Sequence, residues 1–258
     1  DCSKCGHSRP LASMSQETPQ GIRINKYLSE SGHCSRRAAD KLLDQGRITI
    51  NGVKPEMGTR VQPGDVVAVD GEAIGGPQEE RILIAYHKPI GIVCTTDQRR
   101  EKDNIIDAIR FPTRIFPIGR LDKMSEGLIF LTNDGDIVNK ILRARNNHEK
   151  EYIVTVDKPI TPDFIYKMSN GIPILNTVTK KCFVKQTHKN QFRIILTQGL
   201  NRQIRRMCEY LNYRVNALKR VRIMNVKLDV KLGKWRHLSP EELRKLNQLL
   251  SDSLKTAN

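Results

Sequence analysis

Apolar residues fall into two regimes along the chain. From 21 to 71 they are sparse and closely punctuated, and from 81 onward strand-like runs alternate with helix-spaced stripes. Ile24, Tyr27 and Leu28 have helical spacing, and Gly32 is placed to stop that helix. Ser35 is an N-cap for a second helix that turns Ala38, Ala39, Leu42 and Leu43 inward and stops at Gly46. Arg47 to Ile50 followed by Asn51-Gly52 is a hairpin signal. Pro63-Gly64 turns the chain into a strand from Val66 to Val69, which Asp70-Gly71 ends. Residues 72–80, with Gly75-Gly76-Pro77, read as a linker, and residues 1–20, polar and aperiodic, as a disordered leader.

The longer part is expected to span 81–258. Ile82 to Tyr86, Leu128 to Leu131 and Tyr152 to Val156 read as strands, and Ile105 to Ile109 as a short helix or turn. Asp134-Gly135 turns into a helix with Ile137, Val138, Ile141 and Leu142 inward. Thr161 caps the next helix, with Pro162 at its first position and Gly171 past its end. Cys182 to Lys185 and Phe192 to Leu196 pair as a hairpin, and Asn201 to Leu211 carries an apolar stripe of Ile204, Met207, Cys208 and Leu211. Further strands lie around Val221 to Leu228. The last helix is capped by Ser239, opened by Pro240 and docked by Leu243, Leu246 and Leu250. This order predicts an α+β fold with a mixed, largely antiparallel sheet behind a small N-terminal module.

Composition adds a partner class. The 258 residues carry a net charge of +16, with 38% hydrophobic and 28% charged residues, and the basic residues run throughout rather than in one tail. That excess favours a polyanion, most simply nucleic acid, over a membrane surface. No run of 18 apolar residues and no basic-then-apolar opening is present, so the expected location is the cytoplasm. The six cysteines are scattered, and reduced thiols are expected. Cys2-x-x-Cys5 with His7 has the spacing of half a zinc site, but no second pair follows; Met14 is a candidate initiator, and residues 1–13 read as a leader rather than a metal site. Walker-type phosphate loops, Gly-x-Gly-x-x-Gly after a strand, and Gly-x-Ser-x-Gly are all absent, and no metal or cofactor is expected.

The densest chemical signal is the segment 116–135. It sets one acid, Asp122, after the basic Arg120, in a Gly-bounded loop that runs into the apolar Leu128 to Leu131. A loop fixed by a buried strand is a good mount for a reacting side chain. The pattern Gly-Arg-Leu-Asp-x-x-Ser-x-Gly-Leu-x-x-Leu-Thr-x-Asp-Gly, 119–135, resembles the signature of the ribosomal pseudouridine synthases of the RsuA type. The two helices and small strands of 21–71 resemble the alpha-L RNA-binding domain.

The resemblance implies an isomerase that breaks a uridine's glycosidic bond, rotates the base and rejoins it through carbon 5, on large-subunit (23S) ribosomal RNA, as a monomer and without a cofactor. It implies Asp122 as the catalytic carboxylate, acting on the sugar carbon or on a sugar proton, and Arg205 as its basic partner. Tyr152 matches the family's base-stacking tyrosine. His-Lys-Pro-Ile-Gly, 87–91, resembles the family's first motif, a turn near the cleft, which makes Lys88 a candidate RNA contact besides its structural role. Arg120, Arg202 and Arg206 are further candidate RNA contacts, although other members of the wider group carry His where Arg202 stands. Arg23, Lys26, Arg36, Arg37 and Lys41 form the basic face expected of the small module. Two alternatives remain: the same reaction on transfer RNA, or a non-enzymatic RNA-binding factor in ribosome assembly.

Overall fold

The computed structural model describes residues 21–75, 81–143 and 148–255. The chain divides into two compact units, residues 1–81 and 82–258. The leader and its Cys2, Cys5 and His7 lie outside the described residues.

In the first unit, β1 (Ile22–Arg23) leads into α1 (Ile24–Glu30) and α2 (Arg36–Asp44), followed by β2 (Ile48–Ile50), β3 (Arg60–Val61), β4 (Val67–Val69) and β5 (Glu72–Ala73). Ser35 caps α2 by accepting the Ala38 N–H at 3.1 Å. Ile24, Leu28, Ala39, Ile48, Val61 and Val67 are its buried centre. Asn51 and Gly52, both at positive φ, make the expected tight turn, closed by mutual backbone bonds between Ile50 and Val53. The return is a single bridge, however: the true neighbour of β2 is β4, because the apolar Val67 and Val69 complete the core and Val53 is exposed.

The second unit contains β6 (Leu83–Lys88), α3 (Ile105–Ile109), β7 (Phe116–Ile118), β8 (Glu126–Thr132), α4 (Gly135–Leu142), β9 (Lys150–Val156) and α5 (Pro162–Asn170). It continues with β10 (Pro173–Ile174), β11 (Thr177–Val178), β12 (Phe183–His188), β13 (Gln191–Leu196) and α6 (Gln203–Tyr210), then β14 (Val215–Ile223), β15 (Val226–Lys227), β16 (Trp235–His237) and α7 (Pro240–Lys255). Its sheet runs β12-β13-β9-β14-β8-β6-β16, with β15 on β14 and β7 on β8. Among the described pairings of this sheet only β14 with β8 is parallel, so the α+β class with a largely antiparallel sheet holds. The caps read from sequence form: Thr161 accepts the Phe164 N–H, and Ser239 and Glu242 make a reciprocal capping box. Leu142 departs from expectation and is half exposed, while Ile137 and Ile141 alone of the four are fully buried.

One feature of this sheet positions the site. A single edge of β8 is shared: β14 pairs with its first residues, Glu126 and Gly127, and β7 with its last, Phe130 to Thr132. The β7–β8 connection, residues 119–125, therefore emerges where β14 joins β8. Gly127 makes that junction possible, since its φ is +129° and a side chain there would overlap the Arg220 backbone.

Candidate active site

Asp122 sits in the β7–β8 connection, and its carbonyl accepts the Ser125 N–H at 2.9 Å, closing a tight turn. Two guanidinium groups face it: Arg202 Nη1 lies 3.5 Å and Arg205 Nε 3.7 Å from Oδ2. Both come from the start of α6, which begins two residues later than the sequence suggests. Arg202 is in the left-handed conformation (φ 48°) as the residue before the helix. That bend is held by Arg206, whose Nε and Nη2 donate to the carbonyl and side-chain oxygens of Asn201, each at 3.0 Å.

Arg205 is the more deeply set of the pair, its side chain 11% exposed against 46% for Arg202. Its Nη2 donates to the Ser125 hydroxyl at 3.0 Å, and Ser125 is buried. Burial, reinforced by the neighbouring Arg202 charge, lowers the Arg205 pKa from the usual guanidinium value, while Asp122 opposes that shift. Arg205 Nε has no hydrogen-bond partner despite its burial. The acid is thus met by charge at a distance beyond a hydrogen bond, which leaves its oxygens available to a substrate.

Tyr152 is on β9, in register with Arg220 of β14, which in turn is in register with Gly127 of β8. It is half-buried and packs against the cluster that includes Ile204 and Met207 of α6, so its ring shares a sheet face with the helix that carries Arg205. Arg120 is exposed. In the first unit Arg23, Arg37 and Lys41 are exposed, Arg36 is half-buried, and Lys26 is half-buried with Glu30 at 3.8 Å.

Lys88 requires a correction. It is fully buried, and its Nζ donates to the carbonyls of Pro89 (2.8 Å), Ile92 (2.9 Å) and Lys123 (3.3 Å). With its three protons so used it has none to offer a phosphate. It ties the turn after β6 to the residue following Asp122, helped by the Gly91 N–H, which donates to the same Lys123 carbonyl at 2.7 Å. Burial lowers its pKa from 10.5 to about 8.

Three participants carried no role in the sequence reading. Ser125 lay inside the quoted motif and is the hydroxyl that steadies Arg205. Arg220 is buried and its Nε donates to the Leu128 carbonyl at 2.7 Å, bracing the β8–β14 junction; nothing in its sequence surroundings marks it. His87 is buried between the Val230 carbonyl and the Glu126 carboxylate, each at 2.9 Å. Among the described residues no cluster of His, Cys, Asp or Glu could hold a metal, and no helix is long and apolar enough to cross a membrane.

Comparison with known proteins converges on this segment. Residues 82–210 match the family model described as RNA pseudouridylate synthase, and residues 22–67 match the S4 domain. The chain is 58% identical over 234 residues to the dual-specificity RNA pseudouridine synthase RluF of Escherichia coli K12, covering 90% of this chain and 80% of that one. It is 29% identical over 242 residues to ribosomal large subunit pseudouridine synthase B of Vibrio vulnificus, covering 88% and 75%. A crystallised pseudouridylate synthase, 26% identical, superposes with a TM-score of 0.63 over 88% of this chain and all of its own.

Proposed function

The chain belongs to the RNA pseudouridylate synthase family, and from that premise we propose that it isomerises a defined uridine of large-subunit ribosomal RNA with Asp122 as the reacting carboxylate. The observation that carries the assignment is the placement of Asp122 at the β8–β14 junction, with Arg202 and Arg205 against one of its oxygens.

The reaction breaks the bond from the sugar to N1 of uracil and makes one to C5; the hydrogen on C5 leaves as a proton and N1 gains one. No electrons are exchanged and no energy input is needed. Asp122 acts at the sugar, and Arg202 and Arg205 supply counter-charge in a partly enclosed site where it counts for more than in water. Ser125 fixes the Arg205 guanidinium, and Lys88 fixes the loop through the Lys123 carbonyl. Tyr152 offers the extruded base a ring to stack on, which suits a uracil taken out of its helix. Arg120 and Arg206 hold RNA phosphates beside the cleft. Arg23, Arg36, Arg37 and Lys41, with Lys26 shared by Glu30, hold them on the S4-like unit, residues 21–71. The enzyme works as a monomer in the cytoplasm, and the link between its two parts begins later than the 72 read from sequence, because Glu72–Ala73 pairs with β4 and Ile74 packs on the first unit's core.

A second RNA substrate is proposed on one ground: the Escherichia coli relative is a dual-specificity enzyme. Transfer RNA is our candidate, because its loops also present unpaired uridines. Mapping pseudouridine in ribosomal and transfer RNA with and without the gene tests both assignments. A site that vanishes from large-subunit RNA is expected. Unchanged maps in both pools would refute the assignment and favour a binding factor in ribosome assembly.

A further inference from the structure

Beside the central cleft, on the β16 edge of the sheet, lies a contiguous aromatic patch that the reaction described above does not use. Trp235 is 37% exposed although it is the sole tryptophan of the chain. Its ring meets Phe111 at 5.1 Å and His237 at 5.5 Å between centroids, with interplanar angles of 62° and 87°. An edge-to-face contact sets the rim of one ring against the face of the other, and the part of Trp235 that stays exposed is what a further planar group can reach. Isolated exposed apolar residues need no explanation, but a cluster of rings with an adjoining cavity does.

Phe111 also lines a cavity of about 210 Å³, together with Ile106, Ile109, Thr113, Arg114 and Ile115. Thr96 and Gln98 complete the lining, so its walls are half polar and half apolar, offering a planar group both contact surface and hydrogen-bond partners. The volume falls below the roughly 300 Å³ at which sites for whole small molecules begin, which suits a single ring system. The Thr113 hydroxyl oxygen is buried and has no hydrogen-bond partner, a cost that a base edge could relieve. Charge complements the rings. Arg110 and Arg114 are exposed on either side of Phe111 in the chain, and Lys234 is exposed beside Trp235. The nearby carboxylate of Asp107 already accepts from Gln98 and Asn104.

The patch shares the catalytic face of the sheet. Trp235 is in register with Tyr86, and Tyr86 with Ile129, so the three share a sheet face; Tyr86 and Ile129 belong to the cluster that includes Leu121, the residue before Asp122, and Phe111 packs against that cluster. Two strand spacings and two residues separate Trp235 from Gly127, about 12 Å between backbones. An RNA loop whose uridine occupies the cleft spans that distance.

We propose that Trp235, Phe111 and the adjoining cavity form a stacking site for a second unpaired nucleobase of the substrate RNA, with Arg110 and Arg114 taking the flanking phosphates. The inference rests on the reading of the chain as an RNA-modifying enzyme, and it adds a contact by which one loop conformation is selected over others.

The lone tryptophan is its own reporter. In the full chain, single-stranded oligoadenylate should quench Trp235 emission, since stacking tolerates any base. The quenching should weaken with salt and persist in Asp122→Asn. With unmodified large-subunit transcript labelled with tritium at uridine C5, Trp235→Ala should raise KM about ten-fold with kcat unchanged. Trp235→Phe should restore KM, and Thr113→Val should raise KM while leaving the melting temperature the same or higher, since it removes an unpartnered buried hydroxyl. Emission indifferent to both RNAs, or an unaltered KM in Trp235→Ala, overturns the stacking site while leaving the catalytic assignment intact. Quenching without tritium release from any ribosomal transcript keeps the stacking site and removes the substrate assignment.

Discussion

Lys88 gives the sharpest test of the packing beneath the catalytic loop. It is fully buried, makes three bonds to carbonyls, and titrates near 8 rather than 10.5 because burial disfavours its charge. The folded chain therefore releases this proton more readily than the unfolded chain. Between pH 8 and 10.5 the unfolded state binds more protons, so the contribution of Lys88 to stability rises with pH. Measured from its value at low pH, the contribution has hardly changed by pH 7 and is about 2 kcal/mol more favourable at pH 9.5 by the linkage relation. Lys88→Met keeps length and bulk but cannot titrate. Urea unfolding of wild type and variant at pH 7 and pH 9.5 isolates the effect of Lys88 and its coupled neighbour Cys94, because groups remote from Lys88 titrate in both chains and cancel in the difference. The gap between the two should move by about 2 kcal/mol in favour of the wild type at the higher pH. A gap that stays constant to within about 0.5 kcal/mol would refute the burial of a charged amine under the loop.

Other consequences follow from named contacts. Ser125→Ala frees Arg205 Nη2, and a lost charge-assisted bond of about 1.5 kcal/mol should lower kcat for tritium release about ten-fold with KM unchanged. Gly127→Ala forces a side chain into the Arg220 backbone at positive φ, and calorimetry should show a loss of about 3 kcal/mol. Arg37→Ala and Lys41→Ala should each reduce the salt slope of RNA binding by about one, with kcat and melting temperature untouched.

Much of this architecture was legible because local chemistry and tertiary structure agree. Ser35, Thr161 and Ser239 each sit before an apolar stripe, and each caps a helix. The missed strands lack such agreement. Phe116–Ile118 carries Pro117 in its centre and pairs only because β14 vacates that stretch of β8. Trp235–His237 is short, basic and at a sheet edge, and β14 opens with the exposed Asn216 and Ala217. The site divides in the same way. Asp122 and Arg205 could be named because the motif around them resembles a known family. For Lys88 the structural role read from its turn motif holds and the RNA contact does not, because burial of the side chain is not visible in Lys-Pro-x-Gly. What buries it is β6 pairing with β8, which sets it opposite a glycine with no side chain to hold it away. Arg202 reaches Asp122 only through a left-handed backbone that no residue type in Gly-Leu-Asn-Arg announces.

If Asp122 is the reacting group, the C5 tritium assay on Asp122→Asn must show it. The substitution preserves size and removes the carboxylate charge, and joining C5 to the sugar necessarily expels the label. Release should fall by three or more orders of magnitude, on the order of 4 kcal/mol in barrier, while RNA affinity stays close to that of the parent. Release at the parental rate would contradict that role.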